Sequence, residues 1–277
     1  MTTTVTKDKL PRADCAMDAE GRLTTELSSL PGDAAEPELR IGLRPKKGEP
    51  ETTAHTVPLS PDPGAPGRWR ADLDGLPQLA EGRWDVWVLP GPGADRLRVV
   101  PGLRDLRVLA GGRSAVADGP LAVRVPYATK DGYFAIRAWV RAAHAEAGDL
   151  RVAGRELTVR GTLVGARAGA GAAGLLKRRG KGGPVVEVPL SDGGDGSFSF
   201  TVRYEDLPSE PVEGEPVFWD VFVRPAAKAS RVRVARLLDD VADKKHVFVY
   251  PATGIGPLSF RPYYTVDNDL SVEVARG

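Results

Sequence analysis

RWDVWVLP at residues 83–90 recurs as FWDVFVRP at 218–225, which sets Trp84 on Trp219 and Asp85 on Asp220 at a spacing of 135 residues. RLRV at 96–99 meets RVRV at 231–234 at the same spacing. Further along, YATKDGYFAI at 127–136 overlaps RPYYTVDNDL at 261–270, with Tyr127 on Tyr263, Thr129 on Thr265 and Asp131 on Asp267. GPLAVR at 119–124 likewise matches GPLSFR at 256–261, and GRLT at 21–24 resembles GRELT at 154–158. Matches that keep their order with little drift in spacing are the mark of a duplicated structural unit with loop insertions. The expected organisation is a flexible segment over 1–15, one repeat over 16–142, a linker over 143–149 and a second repeat over 150–277.

Each repeat reads as strands. Its apolar residues alternate in short runs closed by Gly, Pro, Asp or Asn. LRIGLRP, RWDVWVLP, RLRVVPG and LAVRVPY show this in the first copy; LTVRGTL, VVEVPL, FSFTVRY, FWDVFV, HVFVY and LSVEV show it in the second. About seven short strands per copy predict an all-β chain made of two tandem, homologous immunoglobulin-like antiparallel β-sandwiches. A small barrel is the competing arrangement. Within the repeated motif, Asp267-Asn268 and Asp131-Gly132 are dipeptides that favour turns with positive φ, so both stretches are expected to be hairpins.

Composition narrows the function. Lysine and arginine number 38 against 37 aspartates and glutamates, so no global field recruits nucleic acid or an acidic membrane. The lone cysteine, Cys15, rules out an internal disulfide and any multi-cysteine zinc site. The N-terminal residues show no apolar signal-peptide core and the sequence no membrane-spanning apolar run, so the expectation is a cytoplasmic protein without membrane insertion.

No catalytic, metal or cofactor motif stands out. Asp192 and Asp195 in SDGGDGS lack the alternating ligands and closing glutamate of a calcium loop. His55, His144 and His246 are scattered. GARAGAGAAG at 165–174 lacks the ending of a phosphate loop and reads as a flexible insertion. Asp85 and Asp220 are the best-placed acids, more simply read as strand aspartates than as an acid and a base. No cofactor is expected. The most suggestive local feature is the basic run Lys177, Arg178, Arg179 and Lys181, matched in the first copy by Lys46 and Lys47. Such cations can grip phosphate through charge-assisted hydrogen bonds. Trp69, Trp87 and Trp139 are candidate platforms for sugar rings, or core residues.

The WDV motif followed by RPYYTVDNDLSVEV resembles the β-rich accessory regions of actinobacterial cell-wall glycopolymer transferases, the teichoic-acid-type glycosyltransferases and glycerophosphotransferases. In that family the catalytic domain is a separate α/β fold, for which this chain has no counterpart. The resemblance therefore implies a non-catalytic binding or assembly role. Its expected partners are a transferase or an anionic cell-wall polymer, with oligomerisation left open. The alternatives are a carbohydrate-binding module and a glycosyl- or glycerophosphotransferase-related enzyme acting on envelope glycans.

Overall fold

A computed structural model describes residues 7–32, 34, 36–110, 119–208 and 214–277. The chain divides into two compact units that part near residue 140. Both are built almost wholly of strands. The first contains β1 (Arg12–Met17), β2 (Leu23–Ser28), β3 (Glu38–Leu43), β4 (Ala54–Pro61) and β5 (Trp69–Asp72). It continues with β6 (Gly82–Leu89), β7 (Leu97–Arg98), β8 (Val100–Asp105), β9 (Leu121–Ala128) and β10 (Phe134–Arg141). The second contains β11 (His144–Ala153), β12 (Glu156–Val164), β13 (Ala173–Arg178), β14 (Val185–Pro189), β15 (Ser191–Gly194) and β16 (Ser197–Arg203). It closes with β17 (Val217–Arg224), β18 (Val232–Ala235), β19 (Thr253–Ile255), β20 (Leu258–Tyr264) and β21 (Leu270–Arg276).

One pairing scheme serves both units. In the first, β6 has β3 on one edge and, on the other, β7 against its later half and β10 against its earlier half. In the second, β17 has β13 on one edge, with β18 and β21 dividing the other in the same way. β8 runs parallel to β1, and the end of β18 runs parallel to β11. A segment such as β18 therefore begins in one layer, with Val232 and Arg233 on β17, and ends in the other, with Val234 and Ala235 on β11.

Period-two burial explains the strands. Val217, Trp219, Val221 and Val223 of β17 point inward, while Phe218, Asp220 and Phe222 point outward. β6 departs from this: Trp84 through Val88 are all buried. Its outer face is covered because Arg96 and Arg98 lie over the Trp87 ring, with their guanidinium carbons 4.5 and 5.0 Å from its centroid. The second unit's core takes Leu157, Val159, Phe198 and Phe200 from one layer and Leu176, Trp219, Val221 and Val272 from the other. The layers approach closely at Gly174, where an added Cβ would lie 2.5–2.9 Å from the Phe200 ring. Gly174→Ala is expected to cost about 1–3 kcal/mol through overpacking. A urea midpoint equal to wild type would show that the layers are not this close.

Four local expectations change. His144–Ala153 is strand β11, so most of the expected linker 143–149 belongs to the second unit. Its inner face is lined by the alanines 145 and 147, which are too small to declare a hydrophobic period. Within the expected flexible segment 1–15, residues from Arg12 onward lie in β1, and Cys15 faces the core. Burial pushes the Cys15 thiol up to about 12, which leaves it protonated and unreactive. The glycine-rich stretch 165–174 ends inside β13. HVFVY, expected as a strand, has no ladder partner among the described residues.

Candidate functional site

The duplicated aspartates each anchor a pair of arginines. Asp85 accepts two bonds from Arg44, at 2.6 and 3.0 Å, and one from Arg98 at 3.4 Å. Asp220 accepts from Arg179 at 2.6 Å, from Arg233 at 2.9 Å and from the Ser271 hydroxyl at 2.9 Å. Burial pulls the Asp220 carboxyl up, but the bonds from Arg179, Arg233 and Ser271 outweigh it and leave the group at about 2. Asp85 is also lowered, by Arg44 and Arg98 acting against burial. Carboxylates held ionised by two guanidinium groups are suited to fixing strands, not to moving protons.

The tyrosine-aspartate motif is a hairpin in both copies. Thr129 N–H donates to the Tyr133 carbonyl at 2.8 Å and Gly132 N–H to that of Thr129 at 2.8 Å. In the second copy Thr265 N–H donates to Asp269 at 2.8 Å and Asn268 N–H to Thr265 at 3.0 Å. Gly132 and Asn268 occupy the same left-handed position, at φ +75° and +62°.

Beside the second hairpin lies a groove of about 470 Å³. One wall is the hairpin itself, with Arg261, Tyr263, Thr265 and Val266, backed by Phe218 and Arg179. The rest of the lining, a second wall, comes from Lys245, Phe248, Val249 and Tyr250. Phe218 and Tyr263 meet edge to face, with ring centroids 6.0 Å apart. Phe248 and Tyr250 are held against the buried Tyr264 ring, at 6.0 and 6.3 Å. The lining carries three cations against one carboxylate, Glu273, which pairs with Arg261. An anionic ligand with flat apolar ring faces would find both of its needs met here.

The segment that carries the second wall is pinned by buried charge. Lys244 is 1% exposed, and its ammonium bonds Asp239 and the Val241 carbonyl. Asp239 also takes the Arg236 guanidinium at 2.6 Å. Burial pushes the Lys244 amine down against the opposing pull of Asp239. Upstream, the Glu146 carboxylate accepts the Leu237 and Leu238 N–H groups at 2.9–3.0 Å.

The structure separates the six basic residues singled out in the sequence. Arg179 lines the groove, its guanidinium 5.0 Å from the Phe218 ring centroid. Lys177 and Arg178 end β13, where strand alternation turns them to opposite faces, and Lys181 is exposed in the turn that follows. Lys46 and Lys47 are exposed in the turn after β3 of the other unit. Trp87 and Trp139 are buried, at 8% and 3% exposure, so neither offers an open ring face, and Trp69 is half-buried on β5. Arg261 opens the repeated hairpin motif, whereas Lys245, Phe248 and Tyr250 were not legible as site residues. Their only signal was proximity to the repeated hairpin motif, because nothing in KKHVFVY announces which face meets solvent. Among the described residues, no group of three or more His, Cys, Asp or Glu is placed to hold a metal ion, and no helix is long and apolar enough to cross a membrane.

No family model and no curated protein matches the chain. Among solved structures it is similar to the crystal structure of S. aureus TarS 217–571, at 15% identity and a TM-score of 0.31 over 73% of this chain and 56% of that one. It is similar to S. aureus TarS at 16% identity and a TM-score of 0.31, over 76% and 38%. The tetra-tandem repeat in the extending region of a large adhesion protein is similar at 12% identity and a TM-score of 0.22, over 80% and 46%. The chain thus spans roughly half, or less, of the length of these structures.

Proposed function

We propose that the protein is a pair of tandem immunoglobulin-like β-sandwiches that holds a phosphate-bearing glycan in the groove of its second unit. The observation that carries this reading is the juxtaposition of Arg179, Lys245 and Arg261 with the rings of Phe218, Phe248, Tyr250 and Tyr263. Cations meet phosphate and rings meet the apolar faces of sugars, with Phe218, Arg261 and Tyr263 held in register on strands. Arg179 is the member of the basic run that touches the ligand. Lys46, Lys47, Lys177, Arg178 and Lys181 add to the field that draws a polyanion toward the protein. The polymer class, a cell-envelope glycopolymer, follows from the resemblance of the WDV strand and C-terminal hairpin to transferase accessory regions. That hairpin is also the part of the chain supplying Tyr263, Thr265 and Val266 to the groove. No reaction is assigned.

The test uses a hexose-bearing glycerol-phosphate polymer, the same polymer without sugars, and an inorganic polyphosphate of similar charge. Wild-type protein should prefer the first. Lys245→Ala combined with Arg261→Ala should weaken binding about tenfold or more, and should flatten the log–log salt slope by roughly 0.7 per cation removed, the figure for a flexible phosphate chain. Equal affinity for polyphosphate would reduce the groove to a charged patch. Retention that ignores both salt and the substitutions would overturn the reading, and would direct attention to the exposed Val249 and Val266, at 73% and 66%, as a protein-docking strip.

A further inference from the structure

The two hairpins differ at one position in a way the turn itself does not require. Gly132 shows that a residue without a side chain makes this turn. The second copy uses Asn268 instead, a residue only 7% exposed whose side-chain amide is hydrogen-bonded within the protein. Its amide nitrogen donates to the Ala242 carbonyl at 3.1 Å, and its amide oxygen faces the Lys244 N–H at 3.4 Å. Its backbone carbonyl accepts the Arg236 N–H at 3.0 Å. One residue at the tip of the first wall therefore grips the second wall's segment at two places, Ala242 and Lys244, and the chain just after β18 at a third, Arg236. The grip continues downstream, since the Lys244 carbonyl accepts the N–H groups of Phe248 and Val247, at 2.9 and 3.2 Å. Phe248 in turn lines the groove, between Lys245 and Tyr250 in sequence.

We infer that Asn268 is a positioning residue that sets the separation of the groove's walls, so that recognition of the phosphate-bearing glycan proposed above depends on a side chain that never touches it. The physical basis is preorganisation. Residues 242–250 have no strand partner among the described residues, so their order rests on the Asn268 amide, the buried Lys244 and the aromatic contacts with Tyr264. Without the amide, Lys244 and the ring contacts hold the segment less completely, more of its ordering falls to the ligand, and that ordering is subtracted from affinity.

Asn268→Gly tests this, because glycine is the residue the first copy uses at the same φ and so preserves the hairpin. Hydrogen exchange of the amides of residues 242–250 should accelerate about tenfold or more, while the amides of β20 and β21 keep wild-type protection. Affinity for the hexose-bearing glycerol-phosphate polymer should fall about tenfold, with the melting temperature close to wild type. Asn268→Asp, which can still accept from Lys244 but cannot donate to Ala242, should fall between. Unchanged exchange across 242–250 would overturn the clamp, as would faster exchange with wild-type affinity. The exchange measurement needs no ligand. If the wild-type protein fails to bind the polymer, the glycan reading falls while exchange still decides whether Asn268 holds the wall.

Discussion

Trp219→Ala will lower the stability of the second unit by about 3–5 kcal/mol and leave the first unit's melting unchanged. Trp219 is fully buried at the centre of β17, among the largest side chains in the second unit's core. Its removal deletes a large contact area and leaves a cavity that neighbouring strands, fixed by their ladders, cannot close. For a unit of this size the melting temperature should drop by roughly 10–20 °C. The chain has five tryptophans, and the other four, Trp69, Trp84, Trp87 and Trp139, all lie in the first unit. In the variant, tryptophan fluorescence therefore follows the first unit alone, whereas far-ultraviolet circular dichroism follows both. The expected result is an early dichroism transition with no fluorescence counterpart, followed by a fluorescence transition at the wild-type temperature. A single transition displaced equally in both signals would show that the chain unfolds as one body.

The repeat made the strand framework readable because it preserves two things at once. Trp84 and Trp219 keep the inward period of their strands, and Asp85 and Asp220 keep their arginines, since Arg44, Arg98, Arg179 and Arg233 repeat with them. The hairpins were readable for a local reason: Asn and Gly tolerate the left-handed position. Tertiary partners were not readable. RLRVVPG looks like one strand, yet Leu97 and Arg98 pair with β6 while Val100 pairs with β1, a change of layer that no local pattern encodes. KKHVFVY has a strand's alternation, but its backbone is tied to Lys244 and its rings to Tyr264, so it becomes a groove wall without joining a sheet. Lys244 in DKKH reads as a solvated charge. Only the fold brings Asp239 against it.

Asp220, which the sequence reads more simply as a strand aspartate than as an acid or base, yields the second large effect. Asp220→Asn should cost about 2 kcal/mol at neutral pH, the free-energy equivalent of its lowered carboxyl, and the cost should vanish in acid. The aspartate's carboxyl lies at about 2 when folded against an ordinary value of 3.8, because Arg179, Arg233 and Ser271 overcome the penalty of burial. A group lowered on folding stabilises the native state fully above its unfolded value, and that stabilisation drains away as pH falls from about 4 toward 2. The asparagine keeps the shape and removes the charge, leaving two guanidinium groups without their shared carboxylate. Other carboxylates titrate in the same range, so the informative quantity is the difference between wild-type and variant urea stabilities at each pH. That difference should be widest above pH 5 and close to zero near pH 2. A gap independent of pH would mean that packing, and not the charge held between Arg179 and Arg233, is what the residue contributes. The same substitution also releases Arg179 at the edge of the groove, so its effect on polymer binding shows whether the repeated framework positions that arginine for the proposed ligand.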